Sequence, residues 1–160
     1  MDNTQTDAIN DAIRTIGIRH RALAAAILAP LGLHPGQEVI IKTLAAQGPR
    51  TQGQLACSSG CEPPTISGTV RKLEAAGIIT RHTSDTDGRV VIVELTPRGH
   101  DLLPELEAAS QRLAQLTVHG LSPDKVDALC ALLAEVATCL TTTTAACPQP
   151  STDPDLIGDS

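Results

Sequence analysis

The chain has 160 residues, 41% of them hydrophobic, which is enough for a packed core in one domain. Its lack of Phe, Trp and Tyr excludes the aromatic stacking surfaces of single-strand and RNA-binding modules. The net charge of −6 is concentrated in residues 101–160, which carry nine acidic and two basic residues, whereas residues 36–100 carry seven basic and six acidic residues. The apolar runs are too short for a membrane span and no signal-peptide pattern opens the chain, so we expect a cytoplasmic protein with no membrane partner.

Three helices are predicted in the first part of the chain. Residues 8–28 form an amphipathic helix, because one seam of apolar residues and a histidine steps by three or four positions. That seam consists of Ile9, Ile13, Ile16, His20, Leu23 and Ile27. A second helix begins at His34-Pro35-Gly36, with the proline near its first turn, and ends at Gly48-Pro49. The capping-box pattern Thr51-x-x-Gln54 starts a short third helix over about residues 51–59.

A fourth helix is predicted after a turn at Gly60. It opens at Glu62-Pro63-Pro64, runs to about Ala76 and ends at Gly77, because glycine suits the left-handed position that follows a helix. The apolar residues of this helix are Ile66, Val70 and Leu73. Their spacing of four and three buries one face and leaves polar side chains on the others.

A hairpin is predicted directly after the fourth helix. Two β-branched runs, residues 78–80 and 90–93, flank the turn-rich segment 84–88 and pair with each other. A short helix, a turn, a second helix and a hairpin form the winged helix-turn-helix plan. In that plan the fourth helix of this chain enters the major groove of DNA, and the hairpin is the wing.

Two further helices are predicted in the acidic C-terminal part. Thr96-Pro97 caps a long helix, in which we expect a kink at Pro104 because proline lacks an amide donor. Ser122-Pro123 caps a last helix that reaches Leu140. The Thr- and Pro-rich residues 141–160 are predicted to be a disordered tail.

The predicted fold class is mainly α with a small β-hairpin wing. The first helix and the last two carry coiled-coil-like apolar seams that a domain of this size cannot cover, so we expect them to pair with a second copy of the chain. Residues 1–140 form a single domain, with dimerisation helices at about 8–29 and 97–140 and the winged helix-turn-helix lobe at about 35–96. Such a homodimer presents two reading helices to a pseudo-palindromic site in double-stranded DNA.

A series of short motifs follows the order of these elements. They are His34-Pro35-Gly36-Gln37-Glu38, Thr51-Gln52-Gly53-Gln54-Leu55-Ala56, Pro63-Pro64-Thr65-Ile66-Ser67, Leu73-Glu74-x-x-Gly77-Ile78-Ile79-x-Arg81, Asp87-Gly88-Arg89 and Glu94-Leu95-Thr96-x-x-Gly99. In this order they resemble the MarR family of winged-helix bacterial transcription regulators over roughly residues 8–140. The resemblance implies a dimeric repressor or activator of transcription, not an enzyme.

Candidate DNA contacts follow from the resemblance and from side-chain chemistry. The family's Asp-x-Arg wing pattern maps onto Asp87 and Arg89, and a narrow minor groove attracts a guanidinium on a hairpin tip. The other candidates lie on the third and fourth helices and at the base of the wing. They are Arg50, Thr51, Gln52, Pro64, Thr65, Ser67, Gly68, Thr69, Arg71, Lys72 and Arg81. A solvated helix face and an ordinary Asp-Gly turn are the plainer interpretation of the same residues.

The resemblance also implies an effector pocket between the dimerisation helices and the lobe. Its candidate polar anchors, which suit an anionic ligand among aliphatic side chains, are Arg19, His20, Arg21 and His34.

Cys57 and Cys61 are candidate redox thiols, although small buried cysteines are the commoner situation. Because the five cysteines are irregularly spaced, we expect reduced thiols, and neither a metal site nor a cofactor is predicted.

The sequence therefore predicts a homodimeric DNA-binding transcriptional regulator, specifically a repressor that a small molecule or an oxidant releases from DNA. The alternative is a winged-helix protein-interaction module that has lost specific DNA binding, which the balance of +1 over residues 36–100 favours. A third hypothesis, a thiol enzyme built on Cys57, has no accompanying His or Asp pattern to support it.

Overall fold

The computed structural model describes residues 2–59, 63–84 and 90–143. The elements in chain order are α1 (Asn3–Leu28), a 3₁₀ turn (Ala29–Leu31), α2 (Gln37–Gln47), β1 (Arg50–Thr51), α3 (Gln52–Ser59), α4 (Pro63–Ala75), β2 (Ile79–Thr83), β3 (Val91–Leu95), α5 (Pro97–Asp101), α6 (Leu103–Thr117) and α7 (Pro123–Thr143). Contacts between residues divide the chain into two compact units, residues 1–119 and 120–160. The prediction of mainly helical structure with a small β wing is confirmed.

The N-cap residues decide where the first two helices begin. The carboxylate of Asp2 accepts a hydrogen bond from the Gln5 amide at 2.7 Å, so α1 starts five residues earlier than the apolar seam indicated. The predicted start of the second helix at residue 34 is also corrected. Gly36 lies at φ +101° as the N-cap of α2, a conformation that glycine adopts without strain.

The capping box predicted before the third helix is present. Thr51 Oγ1 accepts from the Gln54 amide at 3.2 Å, and Gln54 Oε1 accepts from the Thr51 amide at 3.0 Å. Two backbone donors that a helix start leaves unpaired are satisfied in this way. The helix itself is Gln52–Ser59, because Thr51 belongs to strand β1.

The core of unit 1 lies between α2, α3, α4 and the sheet. The buried face of α4 consists of the residues that the periodicity indicated, Ile66, Val70 and Leu73, which are 1%, 0% and 0% exposed. They pack in one cluster with residues of the other elements, including Ile40, Ile41, Leu44, Leu55, Ile79, Val93 and Leu106. Gly77 follows α4 at φ +70°, and the Ile78 amide donates to the Leu73 carbonyl at 3.0 Å, which closes the helix as expected.

The predicted hairpin is confirmed, and it belongs to a three-stranded antiparallel sheet of order β1-β3-β2. Strand β2 pairs with β3 from Ile79↔Leu95 to Thr83↔Val91. The two-residue strand β1 adds Arg50↔Val93 and Thr51↔Ile92 on the other edge of β3. Sequence periodicity did not reveal β1, because two residues are too few to show alternation.

The long helix predicted after Thr96 is wrong, because the chain forms two helices there. Helix α5 ends at Asp101 and α6 begins at Leu103, so the predicted kink at Pro104 is a break. Proline in the first turn of α6 needs no amide donor, whereas within a continuous helix its ring would clash with the His100 carbonyl. The first helical turn after Thr96 is capped as expected, since Thr96 Oγ1 accepts from the Gly99 amide at 3.1 Å.

Helix α7 of the second unit extends to Thr143, three residues beyond the predicted end. The predicted tail from residue 141 is therefore corrected for residues 141–143, and residues 144–160 lie outside the described part. Thr141 Oγ1 donates to the Ala137 carbonyl at 2.7 Å, which keeps the hydroxyl paired within the helix. Across the described ranges, no helix is both long enough and apolar enough to cross a membrane.

Candidate nucleic-acid interface and ligand cavities

Helix α4, the predicted reading helix, has one buried face and an opposite face that the core leaves open. At 100° per residue, Pro64, Gly68 and Arg71 lie opposite the buried seam. Pro64 and Arg71 are exposed, and nothing lies within 4 Å of the position that a Cβ atom on Gly68 would occupy. The half-buried Ser67 lies beside them, and Arg71 Nε donates to its carbonyl at 3.3 Å. This face can approach a groove closely at Gly68 and offers a guanidinium at Arg71.

The other candidates on α4 lie on a different flank of the helix. Thr65, Thr69 and Lys72 recur at spacings of four and three and line a cavity of about 270 Å³. Thr69 Oγ1 donates to the Thr65 carbonyl at 2.9 Å, and Lys72 is exposed at the rim of this flank. The structure thus separates the predicted contacts of α4 into a face opposite the core and a cavity-lining flank.

The candidates at the start of α3 are less available than the sequence indicated. Both the amide and the hydroxyl of Thr51 are engaged in the capping box with Gln54. Arg50 and Gln52 are half-buried, and Arg50 Nε is buried without a hydrogen-bond partner among the described residues. These residues still lie at the N-terminal end of a helix, where backbone amides favour a phosphate.

Arg81 lies at the base of the wing and is paired with a carboxylate. Its Nε and Nη2 donate to Oε2 of Glu74 at 2.9 and 2.5 Å. This hydrogen bond lowers the pKa of Glu74 and raises the pKa of Arg81 from their ordinary values, so both side chains are charged at neutral pH. Asp87 and Arg89, the predicted wing contacts, lie outside the described residues.

The four predicted effector anchors do not share one cavity. Arg21 and His34 line the 270 Å³ cavity together with Lys72. The remaining described lining residues are Pro35, Gly36, Gln37, Val39, Ile40, Ser59, Thr65, Ile66 and Thr69. Among the described lining residues, three are basic and none is a carboxylate. His20 lines a second cavity of about 250 Å³ between α1, α2 and α6, whose polar lining also includes Glu38 and Ser110. Arg19 is exposed on α1 and lines neither of these two cavities.

The predicted dimerisation seam of α1 is exposed. Ile9, Ile13 and Ile16 are 42%, 51% and 54% exposed, whereas the buried residues of α1 are Ala24 and Leu28 near its C-terminal end. In the second unit, helix α7 also exposes large aliphatic side chains. They are Leu132, Leu133, Val136 and Leu140. Exposed aliphatic side chains that recur along one helix offer a surface that a partner can cover.

The cysteines do not form the expected set of reduced thiols. Cys57 is exposed and disulfide-bonded, which corrects that expectation, and Cys61 lies outside the described residues. Cys130 and Cys139 of α7 are exposed cysteines that form no disulfide. In the part of the chain that the structure describes, no group of three or more His, Cys, Asp or Glu side chains is arranged to hold a metal ion.

Helices α3 and α4 followed by the β2–β3 hairpin define the winged helix-turn-helix class. Comparisons with known proteins identify the family. A family model described as the MarR family matches residues 33–91. A probable transcriptional regulator from Pseudomonas aeruginosa is 32% identical, with a TM-score of 0.75 over 80% of this chain and 96% of that chain. The chain belongs to the MarR family of transcriptional regulators.

Other solved structures are similar to this chain as well. Bordetella bronchiseptica BpsR, whose DNA binding is regulated by 6-hydroxynicotinic acid, is 25% identical with a TM-score of 0.75, covering 81% of this chain and 98% of that chain. A MarR mutant from E. coli in complex with operator DNA is 21% identical with a TM-score of 0.75, covering 85% of this chain and 99% of that chain. The latter similarity shows the shared fold.

Sequence reasoning did not identify Glu74 as a partner of Arg81 or Lys42 as a link between helices. Lys42 Nζ of α2 donates to Ser110 Oγ of α6 at 2.5 Å and lies 3.5 Å from the carboxylate of Glu107. An acidic residue in the last turn of a helix, seven positions before an arginine, was a signal for the first pair. No local pattern indicated the second, because its residues are 68 positions apart.

Proposed function

We propose that this protein is a homodimeric repressor that binds a pseudo-palindromic DNA operator and is released by a small-molecule signal in the cytoplasm. The proposal depends on the two faces of helix α4. Its seam is buried in the lobe, while Pro64, Gly68 and Arg71 remain open on the opposite face. The exposed isoleucine seam of α1 supports pairing with a second copy. Two copies of α4 then meet two half-sites.

The test is selection of duplexes from a random-sequence library by the purified protein, followed by titration of the selected duplex at several salt concentrations. We expect a clear preference for the selected duplex over random DNA and an affinity that falls steeply with salt, because lysines and arginines displace counterions.

Arg89→Ala is expected to weaken binding roughly 10- to 100-fold, since one groove contact contributes about 1–3 kcal/mol. Thiol-reduced and peroxide-treated samples are compared, because an oxidant that acts through Cys57 would change the affinity between them.

Two results would contradict this proposal. If no duplex is enriched and the protein is monomeric, the winged-helix interaction module becomes the better description, as the +1 balance of residues 36–100 favours. If a duplex is enriched but Arg89→Ala binds it as tightly as the parent, the wing does not contribute to recognition.

We further propose that the effector is a small organic anion bound in the 270 Å³ cavity. The described lining offers the cationic side chains of Arg21 and Lys72 and the imidazole of His34, and aliphatic residues such as Val39 and Ile40 supply apolar contact. Because Thr65, Thr69 and Lys72 belong to α4, an occupant of this cavity contacts the reading helix directly. A ligand that binds better to one position of α4 than to another shifts the population towards that position. The regulation of BpsR by 6-hydroxynicotinic acid supports a carboxylate as the first probe.

The probe pair is 6-hydroxynicotinate and its uncharged amide, added to the protein on its selected duplex. We expect the acid to release the DNA and the amide to act only at much higher concentration. Arg21→Gln is expected to raise the concentration of acid needed roughly tenfold, because one charge-assisted hydrogen bond contributes about 1.5–3 kcal/mol, and to leave DNA affinity unchanged. Arg19→Gln on the same helix is the matched control, since Arg19 lines neither cavity. Equal potency of acid and amide would contradict an anion site.

A further inference from the structure

Glu74 and Arg81 join the reading helix to the first strand of the wing. Glu74 lies in the last turn of α4, which ends at Ala75, and Arg81 is the third residue of β2. Two nitrogens of the guanidinium, Nε and Nη2, converge on the single oxygen Oε2 of Glu74. Because two nitrogens of one planar group point at the same oxygen, the guanidinium plane is directed at the Glu74 carboxylate. The pair therefore links the last turn of α4 to β2.

A carboxylate at position 74 is unfavourable unless something compensates for it. The C-terminal end of a helix carries a partial negative charge, and a glutamate in the last turn adds to it. On a helix proposed to lie against DNA, the same charge repels phosphates. Arg81 compensates for both effects, and the mutual pKa shifts of the two groups show that each stabilises the charged form of the other.

The side chains of strand β2 are mostly exposed. Ile79 is its one buried residue, at 2% exposure, and residues 80–83 are exposed. Arg81 is on the same face of the strand as Ile79, because side chains alternate along a strand. Its pairing partner in β3 is the fully buried Val93. Beyond Ile79, the guanidinium of Arg81 is thus a side chain that ties this face of β2 to α4.

We propose that Glu74 and Arg81 are positioning residues, which hold the wing in its DNA-binding orientation relative to α4, and that Arg81 acts through Glu74 instead of contacting a phosphate. The inference rests on the proposed DNA-binding function and assigns Arg81 a different role from the one its charge indicated. If Arg81 acts through Glu74, the Glu74 carboxylate is needed for DNA binding although its charge repels phosphates. If Arg81 contacts a phosphate directly, DNA binding does not need the Glu74 carboxylate.

The experiment compares Glu74→Gln, Arg81→Gln and the exchanged double variant Glu74→Arg/Arg81→Glu on the duplex selected by the parent protein. Positioning predicts that each single variant loses affinity by a similar factor, roughly tenfold for a coupled pair, and that the exchanged variant regains most of it. A direct phosphate contact predicts that Glu74→Gln binds as tightly as the parent or more tightly, and that the exchanged variant is the weakest. Either of these two results overturns the inference.

A second readout separates positioning from a general loss of stability. In an Arg89→Ala background, Glu74→Gln is expected to lose most of its effect, because the pair acts through the wing. An undiminished effect in that background overturns the inference. The controls are the thermal unfolding midpoint, expected to change little, and Asp101→Asn, an exposed substitution with the same change of charge. Failure of the parent protein to select any duplex would instead contradict the proposed function itself.

Discussion

The double substitution Ile13→Glu/Ile16→Glu is expected to convert the proposed dimer to a monomer and to remove tight operator binding. Both side chains are about half exposed in the protomer, at 51% and 54%, so a partner has aliphatic surface to cover. Burying an isoleucine stabilises by about 1.5–3 kcal/mol, and a two-fold interface contains each substituted position twice. Because each side chain is about half exposed, about half of this value is lost at each of the four positions. Without the repulsion between the new charges, the total is about 4 kcal/mol, which weakens the dimer roughly thousandfold.

The measurement is the molar mass in solution as a function of protein concentration, by sedimentation equilibrium. The parent is expected to remain dimeric through the micromolar range, and the double variant to be monomeric with unchanged helical content, because the substituted residues are exposed in the protomer. Loss of operator affinity should follow, since one half-site is bound without the second.

A matched control for this prediction lies on the same helix. Ile18 is 61% exposed and, at 100° per residue, points away from Ile13 and Ile16. Ile18→Glu is therefore expected to stay dimeric. If the double variant is dimeric at the same concentrations as the parent, or if Ile18→Glu dissociates as readily, the seam of α1 is not the dimer interface.

Gly99→Ala is expected to destabilise the fold by about 3 kcal/mol, because a methyl group has no space at this position. A Cβ atom on Gly99 would lie 2.3 Å from the carbonyl oxygen of Ile78 and 3.0 Å from Leu95 Cδ2. The obstacle is backbone, so it cannot rotate away as a side chain can. Thr96 holds α5 close at this point, since its amide donates to the same Ile78 carbonyl at 3.0 Å. The measurement is denaturant unfolding, in which the midpoint should fall with little change of slope.

Gly17→Ala is the control that carries the same chemical change. Gly17 lies within α1, and nothing lies within 4 Å of the position of its missing Cβ atom. The substitution is expected to stabilise the protein by about 0.5–1 kcal/mol, because alanine loses less backbone freedom in a helix than glycine does. We expect the free energy of unfolding to fall in Gly99→Ala and to rise in Gly17→Ala when both are measured at the same protein concentration. A Gly99→Ala variant as stable as the parent would show that α5 can move away from Ile78.

Most of the fold follows from local patterns. The seam of α4, the capping box at Thr51 and the glycine after α4 each depend on residues within one or two helical turns, and a short stretch of sequence contains that information. The misjudged boundaries depend on weaker local signals. The carboxylate of Asp2 extends α1 before its apolar seam, and Pro104 ends one helix and starts another where a kink was expected.

The candidate site was predicted as a set of residues but not as an arrangement. Sequence placed Thr65, Thr69 and Lys72 beside Gly68 and Arg71 on one reading helix, whereas the structure assigns the first three to a cavity wall. It also placed His20 with Arg21 and His34. In the structure His20 lines one cavity, whereas Arg21 and His34 line the other. Neighbours along a helix differ by 100° in direction, so adjacent polar residues face different surroundings.

The sequence by itself determined the winged helix-turn-helix order, the buried seam of α4 and the absence of aromatic side chains from any site. It determined them because periodicity, caps and turn residues act over a few positions. Only the tertiary structure decided that Glu74 binds Arg81, that Lys42 meets Ser110 and that Gly99 must be glycine. These contacts join residues 7, 68 and 21 positions apart, and their distances depend on how whole elements pack against one another.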